Sequence, residues 1–231
     1  MAKLKKQILG KVSGKLGDLV FRNRYSTNYL SMLPTSYSVP SDPDSIIRRQ
    51  VFTFNAKLAS VMNRKSELKY IFNIKKPSGS TTFNYIVRTI YPFTTFDNFT
   101  SQISITPFHT FNIQQNDFNL SRDYLIIVLN RIGNNTIINP NIESHVKIVA
   151  ILNLSSPNNS NSDSYIIYSL SSDPQPLNLN DSITFRIDFP ENLIFEFNNY
   201  NTKTVAYTLL TMNNENKIHN YSRTIFNQIN K

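Results

Sequence analysis

The run Ile183-Thr184-Phe185-Arg186-Ile187-Asp188-Phe189 sets an apolar residue at every second position, with polar or charged residues between them. Side chains alternate across a strand, so this heptad is committed to a half-buried β-strand with Ile, Phe, Ile and Phe on the core side. Further strand-length runs follow from about Phe99 onward, at 102–106, 124–130, 146–154, 164–171, 193–197 and 204–212. Connections such as Ser155-Ser156-Pro157-Asn158-Asn159-Ser160 are built of turn formers. Seven short strands at this spacing predict an antiparallel β-sandwich over 98–231, immunoglobulin-like or jelly-roll-like in topology.

The front of the chain reads differently. Ser41-Asp42-Pro43-Asp44 combines a capping residue, a first-turn proline and an acid at the positive end of the dipole. Ile47, Val51, Phe54, Leu58 and Val61 follow at helical spacing, which predicts a helix to about Met62. Shorter helices are expected at 66–72 and 82–90, so 41–92 reads as a helical segment. Before it, 19–24 and 29–33 are two strand-like runs separated by Tyr25-Ser26-Thr27-Asn28, a hairpin that Pro34 ends. The expected fold is therefore mainly β with an α-helical N-terminal portion. It consists of a basic, glycine-rich β-hairpin arm at 1–34, one or two helices, and the sandwich.

Charge divides the chain in the same place. Residues 1–76 hold 15 Lys and Arg against 4 Asp and Glu, a net +11, whereas 77–231 hold 9 against 11, a net −2. A basic front suits an acidic subunit, an anionic surface or nucleic acid. The 31 asparagines of 231 residues fill the place of missing charge and are compatible with compositional bias alone. No cysteine is present, which removes disulfides and thiolate metal sites. No apolar run is long enough for a bilayer, and the Lys-rich start lacks the apolar stretch of a secretory signal. Cytoplasmic synthesis without a classical signal peptide is expected, and assembly in a virion or outside the cell is compatible with it.

Catalytic chemistry has few footholds. His109, His145 and His219 fall in separate segments without a carboxylate at metal-ligand spacing. The string from Gly10 to Gly17 has only three residues between Gly10 and Gly14, and Leu16 rather than Ser or Thr after Lys15, so it fails as a phosphate-binding loop. Asp188 and Glu196 are expected on strand faces near Arg186, as solvated pairs. The expectation is a non-enzymatic protein with no cofactor, no metal and no catalytic residue.

Gly10-Lys11-Val12-Ser13-Gly14-Lys15-Leu16-Gly17, then Val20-Phe21-Arg22 and Pro34, resembles the opening of an uncharacterised family of bacterial and phage-associated domain proteins. That family pairs an N-terminal GxxSGKxG segment with a C-terminal β-rich domain, and no activity carries over from it. The resemblance implies a small structural protein.

These observations converge on self-assembly, with the hairpin extending to the next copy as in a phage-like virion or tail component or a filament subunit. Leu19, Phe21, Tyr25, Tyr29 and Leu33 are the expected apolar contacts, with Arg22 and Arg24 at the rim. Lys3, Lys5, Lys6, Lys11 and Lys15 form the basic arm. The expected partners are copies of the chain itself and other virion proteins, with nucleic acid less favoured. The alternative is a binding module that recognises a glycan or protein, to which Tyr165, Tyr168, Tyr200 and Tyr207 would contribute.

Overall fold

The computed structural model describes residues 2–3, 13–24, 27–33, 36, 39–133, 137–159 and 162–230. The chain divides into two compact units, Met1–Ser45 and Ile46–Lys231.

The first unit is a four-stranded antiparallel sheet of β1 (Ala2–Lys3), β2 (Gly14–Leu16), β3 (Leu19–Arg24) and β4 (Thr27–Met32), in the order β1-β4-β3-β2. Gly17 turns β2 into β3 with φ 57°, which costs a glycine nothing. Register decides the faces. Leu19 lies opposite Met32 and Leu16, and Phe21 opposite Leu30, so these five apolar residues share one side. Lys15, Val20, Arg22, Tyr29 and Ser31 occupy the other. The expected hairpin strands are present, except that Thr27 and Asn28, expected in the turn, belong to β4, and β1 and β2 flank the pair. Tyr29 thus lies opposite Arg22 in the register, on the face away from Phe21.

The second unit opens with α1 (Pro43–Arg64), whose start lies in the first unit and is capped as expected, the Ser45 N–H donating to Asp42 Oδ2 at 2.9 Å. Next come α2 (Ser66–Lys75) and α3 (Thr82–Ile90), the latter capped by Thr81, and a single 3₁₀ turn at Tyr91–Phe93. The buried stripe of α1 is Phe54, Asn55, Leu58, Ala59 and Met62, while Ile47 is exposed.

The strands are β5 (Gln115–Leu120), β6 (Tyr124–Leu129), β7 (His145–Pro157), β8 (Tyr165–Ser171), β9 (Gln175–Pro176) and β10 (Ile183–Asp188). A fourth helix, α4 (Glu191–Phe197), precedes β11 (Tyr200–Met212), β12 (Ile218–Tyr221) and β13 (Ile225–Asn230). One antiparallel sheet has the order β10-β6-β5. The other runs β12-β11-β7-β8, with β13 also on β11 and β9 also on β7.

Two cores hold this unit together. Val146, Ile148, Ala150, Leu152 and Leu154 of β7, with Val205, Tyr207 and Leu209 of β11, pack on Leu125, Ile127, Phe185 and Ile187 of the smaller sheet. The opposite face of the larger sheet, through Val149, Ile151, Ala206 and Leu210, packs on Phe54, Leu58, Phe72 and Ile86 of the helices. Strands covered on both faces read as unbroken apolar runs, which is the physical reason that β7 and β11 do not alternate. β10 is covered on one face only and keeps its alternation.

Two expected strands are absent. Residues 102–106 form no ladder. Ile103 and Ile105 are buried, but the Ile105 N–H donates to the Thr224 hydroxyl instead of to a neighbouring strand. Residues 193–197 belong to α4, where Leu193 and Phe197 are buried at i, i+4 and Phe195 is 72% exposed. Glu196 is thus helical, and only Arg186 and Asp188 pair, at 2.8 Å. Among the described residues the helices expected after Ser41, at 66–72 and at 82–90 are all present, so the front carries three rather than one or two, and α4 is the unexpected fourth. α4 was missed because Leu193, Phe195 and Phe197 also alternate as a strand would.

Candidate binding groove

A concave surface lies between α2 and β12, wholly within the second unit. On α2, Leu68, Ile71 and Phe72 turn into the core, which leaves Tyr70 and Ile74, one turn apart, on the open side. The helix stops before Pro77, whose ring disfavours a helical Lys76, and Lys76 is extended. On the facing side, the Asn213 side chain accepts hydrogen bonds from the Glu215 and Lys217 N–H groups, and Asn216 takes φ 60°. That turn presents Lys217 and Ile218 to the groove.

The groove has two compartments that share Tyr70 and Ile218. The wider, about 490 Å³, is lined by Ser66, Glu67, Tyr70, Asn216, Lys217 and Ile218. The narrower is a slot of about 170 Å³ walled by Ile71, Ile74, Phe108, Ile218 and Tyr221, with Lys75, Thr110 and His219 around it. The Lys75 ammonium sits 4.7 Å from the Phe108 ring centre, and the Phe108 and Tyr221 rings pack at 5.4 Å. The Tyr221 hydroxyl is buried without a hydrogen-bond partner among the described residues, and burial, with Tyr85 nearby, pushes its pKa up to about 12.

Both walls are braced by half-buried or buried charge. Lys147 of β7 donates to Glu67 Oε1 at 2.6 Å, and Ser66 Oγ donates to Oε2 at 2.8 Å. Burial raises the Glu67 carboxyl, but the bonds from Lys147, its own backbone and Ser66, with the charge of Lys65, outweigh that and hold it below the usual range. Lys65 donates to Ser171 Oγ at 2.7 Å. Burial lowers its pKa, against the attraction of Glu67 and with the repulsion of Lys147. A lysine beside a serine can serve nucleophilic chemistry. Neither residue lines the groove, however, and the pair ties the α1–α2 junction to the end of β8. On the far wall, Glu143 is 3% exposed and accepts from Asn139 N at 2.8 Å, Asn220 Nδ2 at 3.0 Å and the Thr211 hydroxyl, which anchors β12.

The residues singled out from sequence lie elsewhere. Leu19, Phe21 and Tyr29 are half-buried in the first unit, while Arg22, Lys15 and Leu33 are exposed. Lys3 and Arg24 are placed in strands β1 and β3. Tyr25, Pro34, Lys5, Lys6 and Lys11 lie outside the described residues. The tyrosines offered for ligand contact are largely interior. Tyr200 and Tyr207 are fully buried, their hydroxyls donating to Asp163 O at 2.9 Å and Gln115 Oε1 at 2.6 Å, and Tyr165 packs on Phe54 at 4.8 Å. His109, His145 and His219 stay apart, and among the described residues no three metal-ligating side chains come together. No helix among them is long and apolar enough to cross a membrane. Tyr70, Ile74 and Phe108 escaped the sequence reading. The available signal was the i, i+4 pair Tyr70 and Ile74, which falls off the Leu68, Ile71, Phe72 stripe.

Compared with family models, with curated proteins and with solved structures, the chain matches none.

Proposed function

We propose that the chain is a non-enzymatic structural protein that associates with copies of itself through its first unit. The observation that carries this reading is the apolar face of the four-stranded sheet, formed by Leu16, Leu19, Phe21, Leu30 and Met32. Leu16 is 69% and Met32 74% exposed, and no apolar side chain described in this unit is fully buried. A small sheet of this kind gains stability only when its apolar face is covered. A second copy supplies a matching face. A two-fold contact would close a dimer, and a head-to-tail contact would build a ring or a filament, as in a virion, tail or filament component. The resemblance of the opening segment to phage-associated proteins agrees with this class. We read the two antiparallel sheets of the second unit, which share a core, as a sandwich of the immunoglobulin-like or jelly-roll-like kind with helices added to its outer side.

Light scattering and negative-stain microscopy on the full chain, a 1–34 deletion and Met32→Asp test the reading. Oligomers from the full chain that revert to monomers in both variants support it. A monomeric full chain overturns it. If the full chain binds a nucleic-acid strand in a salt-dependent way, the Lys15 and Arg22 face of the same sheet becomes the better candidate.

A further inference from the structure

The groove between α2 and β12 belongs to neither the first unit nor the assembly contact, and its chemistry is specific. Three features bear on what it holds. First, the slot of about 170 Å³ joins the wider compartment of about 490 Å³ through Tyr70 and Ile218, and the lining of both is mainly apolar. A narrow apolar slot continuous with a wider compartment, with a lysine beside each, suits an extended chain that anchors one residue and lays its neighbours alongside.

Second, the charges still available are cationic. Glu67 is the one acid lining the groove, and Lys147 already engages it. Lys75 and Lys217 meet no carboxylate among the described residues, and they stand at opposite ends, beside the slot and beside the wide compartment. Lys75 rests on the Phe108 ring, a contact that leaves its N–H groups to donate.

Third, both walls are fixed in advance. The Lys147–Glu67 bridge holds the start of α2, and the Glu143 hydrogen bonds to Asn220 and Thr211 hold β12. A groove held open by its supports spares an incoming chain the cost of ordering it.

We propose that this groove docks an acidic, extended peptide segment of a partner protein, with one apolar or aromatic side chain in the slot and flanking carboxylates on Lys75 and Lys217. The basic arm of a second copy is a poor occupant, because Lys3, Lys5, Lys6, Lys11 and Lys15 would face like charge. A single-stranded nucleic acid would have to stack on Tyr70 and Phe108, and Phe108, although 39% exposed, already packs on Lys75 and Tyr221.

Fluorescence anisotropy on the full chain tests this, using a labelled Glu-Glu-Phe-Glu-Glu peptide as the probe. Saturable binding is expected. It should weaken about tenfold when the central residue becomes alanine, and be absent for Lys-Lys-Phe-Lys-Lys. Lys217→Glu, Lys75→Glu and Ile74→Asp should each weaken binding by about tenfold or more. All three positions are exposed, Ile74 by 54%, so circular dichroism should show the fold kept; if Ile74→Asp misfolds, the lysine variants carry the test. Absence of saturable binding overturns the proposal, as does binding that none of these substitutions alters. A short oligothymidine strand that binds with the same sensitivity to the substitutions, while the acidic peptide does not, assigns the groove to nucleic acid instead.

Discussion

The two units solve the same problem with different amounts of material. The first has strands of two to six residues and a single apolar face left partly open to solvent. The second is organised around β7 and β11, strands of 13 residues each, with a second sheet on one face and helices on the other. Covering both faces of a sheet removes apolar area from water on both sides of each strand, at roughly 25 cal/mol per Å². Stability therefore concentrates in the second unit, and under the function proposed above the first unit supplies the contact between copies.

The sharpest way to break this comparison is to remove equivalent aromatic rings. Phe54 is fully buried against Tyr165 between α1 and the sheet, and Phe54→Ala should cost about 3–5 kcal/mol in a urea titration. Phe21→Ala in the first unit should leave the main unfolding transition in place and change the mass in solution. Equal losses of stability from the two substitutions would refute the division of labour.

A smaller effect separates buried charge from buried apolar surface. Glu143→Ala would remove the acceptor shared by the Asn139 N–H, the Asn220 amide and the buried Thr211 hydroxyl. A loss of about 2–3 kcal/mol is expected, because unsatisfied buried donors cost more than the bond they made. Chemical denaturation of this variant beside Glu143→Gln, which keeps an acceptor, would show whether β12 depends on the carboxylate.

Acidity gives a milder test. The folded pKa of Glu67 is depressed, so its contribution is fully present above the ordinary carboxylate range and is lost as pH falls through the lower folded value. Thermal melts of the wild type and Glu67→Gln should differ near neutrality and converge in acid. A constant gap at all pH values would mean that Glu67 acts by packing rather than by charge. The least effect belongs to Arg186→Ala, whose pairing with Asp188 is solvent-exposed and should leave the melting temperature unmoved within error.

Much of the fold was legible because local chemistry marked it. Thr82–Ile90 has the predicted bounds, and the Ser41–Asp44 start of α1 is capped as read. β10 alternates in burial as its residues alternate in polarity. The polar strands β5 and β13 carried too little apolar pattern to be seen, since they pair at edges, where one face or both remain wet. At 193–197, the apolar residues Leu193, Phe195 and Phe197 imitate a strand, yet Leu193 and Phe197 are also one helical turn apart, and packing chose the helix. The groove was not legible at all. Tyr70, Phe108 and Lys217 are far apart in sequence, and each alone is an unremarkable surface residue.

The sequence by itself determined the strand and helix periods, the turn positions and the concentration of positive charge in the first third, because each follows from neighbouring residues. Tertiary structure alone decided which face of each strand meets which layer. It also decided that Leu16, Leu19, Phe21, Leu30 and Met32 share one side of a sheet, and that α2 and β12 leave a cationic groove between them. Those outcomes depend on register and on contacts between residues distant in the chain, where a shift of one position reverses every side chain.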